Sequence, residues 1–142
     1  MFGDLDLLKD IRPLRNWNVS NGVDFSFMFS GCKLLTDISP LEKWNVSKGT
    51  KFDWMFANLN LLKDIRPLRN WNVSNGVDFS YMFCDCKLLT ELKPLENWNV
   101  SKGNDFSYMF ADLELLTDVS PLKIGTFRKD KNLKICLGIV VP

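Results

Sequence analysis

Five acidic residues recur at one 27-residue interval: Asp10, Asp37, Asp64, Glu91 and Asp118. If the chain stacks on that period they stand one above another, and a row of carboxylates is chemistry that calcium or a cationic partner recognises. A structural role competes with this. A calcium site gathers several oxygens from one loop, whereas this motif supplies one acidic residue per repeat. Each carboxylate also has turn N–H groups near it, or a cation within two residues among Lys9, Arg12, Lys63, Arg66 and Lys93. No metal site is expected.

Other reactive side chains are sparse. Histidine is absent, which removes imidazole general bases, Ser-His-Asp and Cys-His arrangements and the commonest zinc ligand. Of Cys32, Cys84, Cys86 and Cys136, Cys32 and Cys86 share a column with Leu5, Leu59 and Leu113 and read as small buried hydrophobes. At a spacing of about 4.8 Å per stacked unit these two cysteines sit about 10 Å apart, beyond the roughly 7 Å reach of a disulfide. Cys84-Asp85-Cys86 lacks the second ligand pair of a zinc motif. Carboxylate chemistry on the acidic column would have no unique centre. The chain is therefore not expected to be an enzyme, and no catalytic residue or cofactor is assigned.

Two further columns carry binding chemistry. Asn18, Asn45, Asn72 and Asn99 each begin Asn-Val-Ser, an N-glycosylation sequon. Bulky glycans on every rung of a stack spaced about 4.8 Å are unworkable, and a ladder or turn-bonding role fits asparagine better. Phe27, Trp54, Tyr81 and Tyr108 form a column that is always aromatic. Aromatic residues are enriched at interface centres, and Asp24, Lys51, Asp78 and Asp105 could rim such a strip. Two readings stay open: a partner-binding strip, or rings that stack between units and close a groove.

The elements that position these columns follow from the repeat. Met-Phe falls at residues 1, 28, 55, 82 and 109, and Trp-Asn-Val-Ser starts at 17, 44, 71 and 98. A fixed period of this length marks a solenoid, in which each unit buries its apolar face only against its neighbours. Residues 1–122 read as four full repeats and a partial fifth, and residues 123–142 as a non-repeat tail or cap. Within one unit Phe25, Met28, Phe29 and Cys32 recur at steps of three and four, which predicts a helix over residues 23–32. Ser20, Ser47, Ser74 and Ser101 would be its N-caps, with Gly22, Gly49, Gly76 and Gly103 loosening the turn. Leu35, Ile38, Leu41 and Trp44 then predict an extended path interrupted by Pro40, with a short strand at either 35–39 or 44–47. The expected fold class is an α/β repeat solenoid, leucine-rich-repeat-like, with a short strand and a short helix per unit.

The unit starting at Met1 matches the one starting at Met55 at 23 of 27 positions and its neighbour starting at Met28 at only 14, so the ancestral block spans two units. Charge follows the same rule. One column reads Arg15, Glu42, Arg69, Glu96, Lys123 and another Asp6, Lys33, Asn60, Lys87, Glu114, which predicts opposite charges between neighbours that fix register.

With 18 basic and 17 acidic residues, a net charge of +1 and no basic cluster, nucleic acid is not an expected partner. No window approaches the roughly 18 apolar residues of a membrane span. The opening Met-Phe-Gly-Asp-Leu-Asp has no basic stretch followed by an apolar one, so no export signal or anchor is expected in the chain as written. By register Met1 falls in mid-unit, which suggests a monomer or a piece of a longer array. Ile135, Leu137, Ile139 and Val140 make the tail either a closing strand or a chance extension.

The string Cys-x-x-Leu-Thr-x-Ile, then Trp-Asn-Val-Ser, then Phe-x-x-Met-Phe resembles the BspA-like leucine-rich repeats. It is closest to their branch of 25 to 27 residue units ending in Met-Phe, a mycoplasma-type, DUF285-like repeat of unknown function. The resemblance covers residues 1 to about 122. It implies a surface or secreted protein that acts in adhesion or host binding, with a protein or surface ligand as partner. The expected function is a non-catalytic repeat binding module. The alternative is an intracellular protein–protein scaffold on the same fold, which the free thiols favour.

Overall fold

The computed structural model describes residues 2–123, and the side chains of residues 2–121. The expected closing strand at 133–141 and Cys136 lie outside the described residues, as does the tail beyond Lys123.

The units stack as the period requires. One continuous hydrophobic core runs from Ile11 to Phe110, and each 3₁₀ turn packs on the next along the chain. Two inner ladders of phenylalanine rings mark the axis. Phe25, Phe52, Phe79 and Phe106 stack with centroids 5.6, 5.4 and 5.3 Å apart, and Phe2, Phe29, Phe56, Phe83 and Phe110 stack 5.6–5.9 Å apart. Identical residues meet because identical backbone positions meet, as in any in-register stack.

The helix expected over residues 23–32 does not form, and neither does a strand at 35–39 or 44–47. The architecture is a solenoid of turns and 3₁₀ helices, not an α/β one. Among the described residues β pairing is limited to three parallel bridges, Asp24 with Lys51, Lys51 with Asp78, and Asp78 with Asp105. These lie inside the segment expected to be helical.

Backbone hydrogen bonding explains why. The N–H groups of Phe25, Phe27, Phe29 and Gly31 donate to the carbonyls of Lys51, Asp53, Met55 and Ala57 in the next unit, at 2.9–3.0 Å. The N–H groups of Met28, Ser30 and Cys32 donate back to Phe25, Phe27 and Phe29 within the unit. The remaining one, on Ser26, donates to Asp24 Oδ1 at 2.9 Å. All eight donors from 25 to 32 are thus satisfied, half of them between units, and buried backbone demands no less. An α-helix would have satisfied them locally and left the units without a ladder. Alternation between neighbour-directed and local bonds needs left-handed residues, found at Phe27 and Gly31 and at their equivalents in later repeats.

Each proline of the repeats opens a 3₁₀ helix: Arg12–Asn16, Ser39–Leu41, Arg66–Leu68, Lys93–Leu95 and Ser120–Lys123. Proline suits the first turn, where its missing N–H has no helical partner to lose. The leucine after it is buried in the first four. Trp44, Trp71 and Trp98 are also buried, and each indole N–H donates 3.0 Å to the carbonyl of Leu14, Leu41 or Leu68 in the preceding unit.

Two expected local roles change. The serines of Asn-Val-Ser cap no helix; they are the donor side of a tight turn. The glycines do not serve to loosen the chain. A Cβ built at Gly76 would lie 2.2 Å from Phe79 Cζ and 3.0 Å from the Val73 carbonyl oxygen, so glycine is required for ring approach.

Candidate functional site

The aromatic column forms a third ring ladder, on the outside of the solenoid. Phe27 and Trp54 stack at 5.7 Å, Trp54 and Tyr81 at 4.3 Å, and Tyr81 and Tyr108 at 5.0 Å, with planes within 19°. The end rings Phe27 and Tyr108 are 42% and 43% exposed, whereas Trp54 and Tyr81 are half-buried. Buried Ala57, Cys84 and Ala111 form a floor against which Trp54 and Tyr81 pack. That assigns Cys84, which the repeat pattern had left unexplained.

All four ring-bearing residues adopt left-handed backbone, with φ of 55–57°. The second left-handed column is occupied by Asp4, Gly31, Asn58, Asp85 and Asp112, mostly residue types that visit this region at little cost. A bulky aromatic there is an outlier. This column of Asp, Asn and Gly was the signal in the sequence that could have identified the turns.

Beside the strip, Asp24 Oδ1 accepts from the N–H and Oγ–H of Ser26, and Asp78 Oδ1 accepts from those of Ser80 at 2.9 and 2.7 Å. Asp105 accepts from the N–H of Ser107. The Ser26 bonds hold the Asp24 carboxyl below its usual range. The second unit breaks this pattern, with Lys51 in the aspartate column and Asp53 in the serine column. Lys51 Nζ lies 3.9 Å from Asp24 Oδ2. Asp53 Oδ1 is buried with no hydrogen-bond partner. Burial, then the charge of Asp78, raises the Asp53 pKa.

The acidic column lies elsewhere, at the 3₁₀ helices. Asp10, Asp37, Asp64 and Asp118 each accept the N–H two residues on, at 2.8–2.9 Å. They thereby satisfy a donor that the start of the helix leaves open. Arg12 and Arg66 add paired guanidinium contacts to Asp10 and Asp64 at 2.7–3.0 Å. The hydrogen bonds from Arg12 hold the Asp10 carboxyl down at about 2. Glu91 adds its charge to Arg66. A cavity of ≈ 540 Å³ between the first two repeats includes Asp10, Arg12, Asp37 and Pro40 in its lining, but its aspartates are already engaged by their own turns. Among the described residues no group of three or more His, Cys, Asp or Glu side chains is disposed to hold a metal ion.

The asparagines bond within their own turns. Asn18, Asn45, Asn72 and Asn99 each accept at Oδ1 from the serine N–H two residues on, at 3.1 Å, which is the turn-bonding one of the two expected roles and not the ladder. The charge columns behave unequally. Lys33 pairs with Asp6 and Lys87 with Glu114, both at 3.2 Å. Among the described side chains no ion pair forms in the column of Arg15, Glu42, Arg69 and Glu96.

Residues 1–121 match the family described as "Mycoplasma protein of unknown function, DUF285". The chain belongs to the DUF285 family. Among solved structures, an internalin C2 from Listeria monocytogenes aligns with this DUF285 chain at 18% identity, covering 81% of this chain and 71% of that one. The TM-score is 0.29, and a likeness at that level carries nothing over. No curated protein matches the chain.

The thiols of this DUF285 repeat are quiet. Cys32, Cys84 and Cys86 are free and buried. The thiols of Cys32 and Cys86 donate to the carbonyls of Phe2 and Phe56. Burial pushes Cys84 up to about 11 and Cys86 up to about 12, so neither supplies a thiolate near neutral pH. No described helix is long and apolar enough to cross a membrane.

Proposed function

We propose that this repeat module binds a partner macromolecule along the strip of Phe27, Trp54, Tyr81 and Tyr108, without catalysis. The observation that carries this is the strained backbone beneath rings that stay exposed or half-exposed. A left-handed non-glycine residue costs about 1–2 kcal/mol, and a ring stack returns about 0.5–1.5 kcal/mol. Four such residues cost about 4–8 kcal/mol and three stacks return about 1.5–4.5 kcal/mol, so stacking alone does not offset the strain. Asparagine or glycine, as at Asn58 and Gly31, meets the same backbone requirement without the cost. Strain retained beside exposed aromatic surface is what a binding site leaves behind. Surface adhesion, the role implied by the resemblance to BspA-like repeats, is a use such a strip would serve. The three free thiols favour a second reading, a scaffold in a reducing compartment.

The double variant Trp54→Asn, Tyr81→Asn keeps a left-handed-tolerant backbone while removing the rings. Beads coated with wild type or variant would be scored for attachment to cultured animal cells, alongside urea unfolding of each protein. Attachment lost with the midpoint nearly kept is the expected result. A steep fall in midpoint would make the rings core, and equal or absent attachment of both proteins would count against adhesion.

A further inference from the structure

The charge around the strip narrows what it can hold. Resting on the binding reading above, we infer that the strip receives a cationic, extended peptide segment of a partner protein, its Lys or Arg heads meeting the carboxylates of Asp24, Asp53 and Asp78.

Three observations favour that occupant. First, the rings are stacked face to face, so along the middle of the strip, at Trp54 and Tyr81, the faces that a quaternary ammonium group requires lie against neighbouring rings. Ring edges remain, and the aliphatic stem of an arginine or lysine packs along such edges while its head reaches a polar rim. Second, the four equivalent stretches 23–31, 50–58, 77–85 and 104–112 hold six aspartates against the single Lys51, in a chain whose overall charge is +1. The negative charge is therefore local to this face. Third, the middle of the strip carries a partly exposed carboxylate that the fold leaves one hydrogen bond short. Asp53 directly precedes Trp54 and has one oxygen buried and unpartnered, where Ser26, Ser80 and Ser107 stand in the other repeats. Its surroundings include the like charges of Asp78 and Asp24, with Lys51 as counter-charge. The carboxylates do not converge into a metal site, so a row of separate cationic heads suits them better than one ion. The ring ladder runs about 15 Å, the reach of about five extended residues.

The test uses the full chain and three labelled ten-residue peptides, alternating leucine with arginine, glutamine or glutamate, read by fluorescence anisotropy at physiological salt. The arginine peptide should bind at least tenfold more tightly than either twin. Asp53→Ser, which installs the residue of the other repeats, should weaken it at least fivefold, whereas Asp37→Asn, in the separate 3₁₀ column, should change it less than twofold. Equal losses in the two variants, or no preference for arginine, overturn the inference. If instead the glutamine peptide binds as tightly as the arginine peptide and is lost in Trp54→Asn, Tyr81→Asn, the strip stands and the cationic partner falls. Arginine-peptide binding unchanged in that double variant would overturn the strip reading itself.

Discussion

Replacing Asp53 by serine should make the protein more stable, and the gain should depend on pH. In the wild type a carboxylate oxygen is buried without a partner, and a buried unsatisfied polar group costs about 1–3 kcal/mol. The Asp53 side chain is only partly enclosed, so solvent screens part of that and about 1 kcal/mol is expected, or about 3–5 °C in Tm for a domain of this size. The sign with pH follows from linkage. Burial and Asp78 raise the folded-state pKa above the ordinary 3.8, so the folded protein holds this proton more tightly than the unfolded chain does. Stability contributed by the protonated form is complete below the unfolded value and is lost as pH rises through the folded one. The variant's advantage should therefore be small at low pH, grow through that window and level off above it. Urea unfolding at intervals from pH 3.5 to 8, wild type against Asp53→Ser, measures it directly. Ser80→Asp, which places a second acid beside Asp78, should show the opposite sign. A loss of stability in Asp53→Ser, or a gain of equal size at every pH, would refute the reasoning, because neither can arise from a carboxylate with a buried, unpartnered oxygen. Combined with the peptide assay, one substitution would strengthen the fold and weaken binding, the opposition expected where a site is kept for function.

Gly76→Ala should destabilise the fold by about 1–3 kcal/mol, as overpacking does, because its Cβ would fall 2.2 Å from Phe79 Cζ; the denaturation midpoint reports it. Cys32, Cys84 and Cys86 should resist a thiol reagent at pH 8 in the native protein and react once urea unfolds it, since burial raises all three thiols; rapid native labelling of any of them would contradict the packing described. Lys87→Glu should lower stability at low salt and recover at high salt, as it loses contacts to Asp85 and Glu114 at 3.6 and 3.2 Å. Glu42→Arg, in a column without close pairs, should be nearly silent at both salt concentrations.

The sequence by itself determined the stack. A 27-residue period that returns Phe25 to Phe52 and Trp44 to Trp71 leaves no arrangement that buries those rings except one unit upon the next, because apolar burial depends on composition and spacing more than on backbone detail. It also marked the acidic residues as turn partners of their own repeats. What it could not decide was the course of the chain from Val23 to Cys32. Steps of three and four at Phe25, Met28, Phe29 and Cys32 are common to an α-helix and to a run of turns closed at i+3, since both bring such residues to one side. The difference lies in where the N–H groups go. A neighbouring unit that presents the carbonyls of Lys51, Asp53, Met55 and Ala57 lets half the donors leave the segment, and only the assembled solenoid supplies that neighbour. The left-handed turns that this requires put Phe27, Trp54, Tyr81 and Tyr108 on the outside. The orphaned oxygen of Asp53 is likewise a tertiary fact. Its sequence neighbours are ordinary, and its burial beside Asp78 exists only once the second and third repeats have stacked.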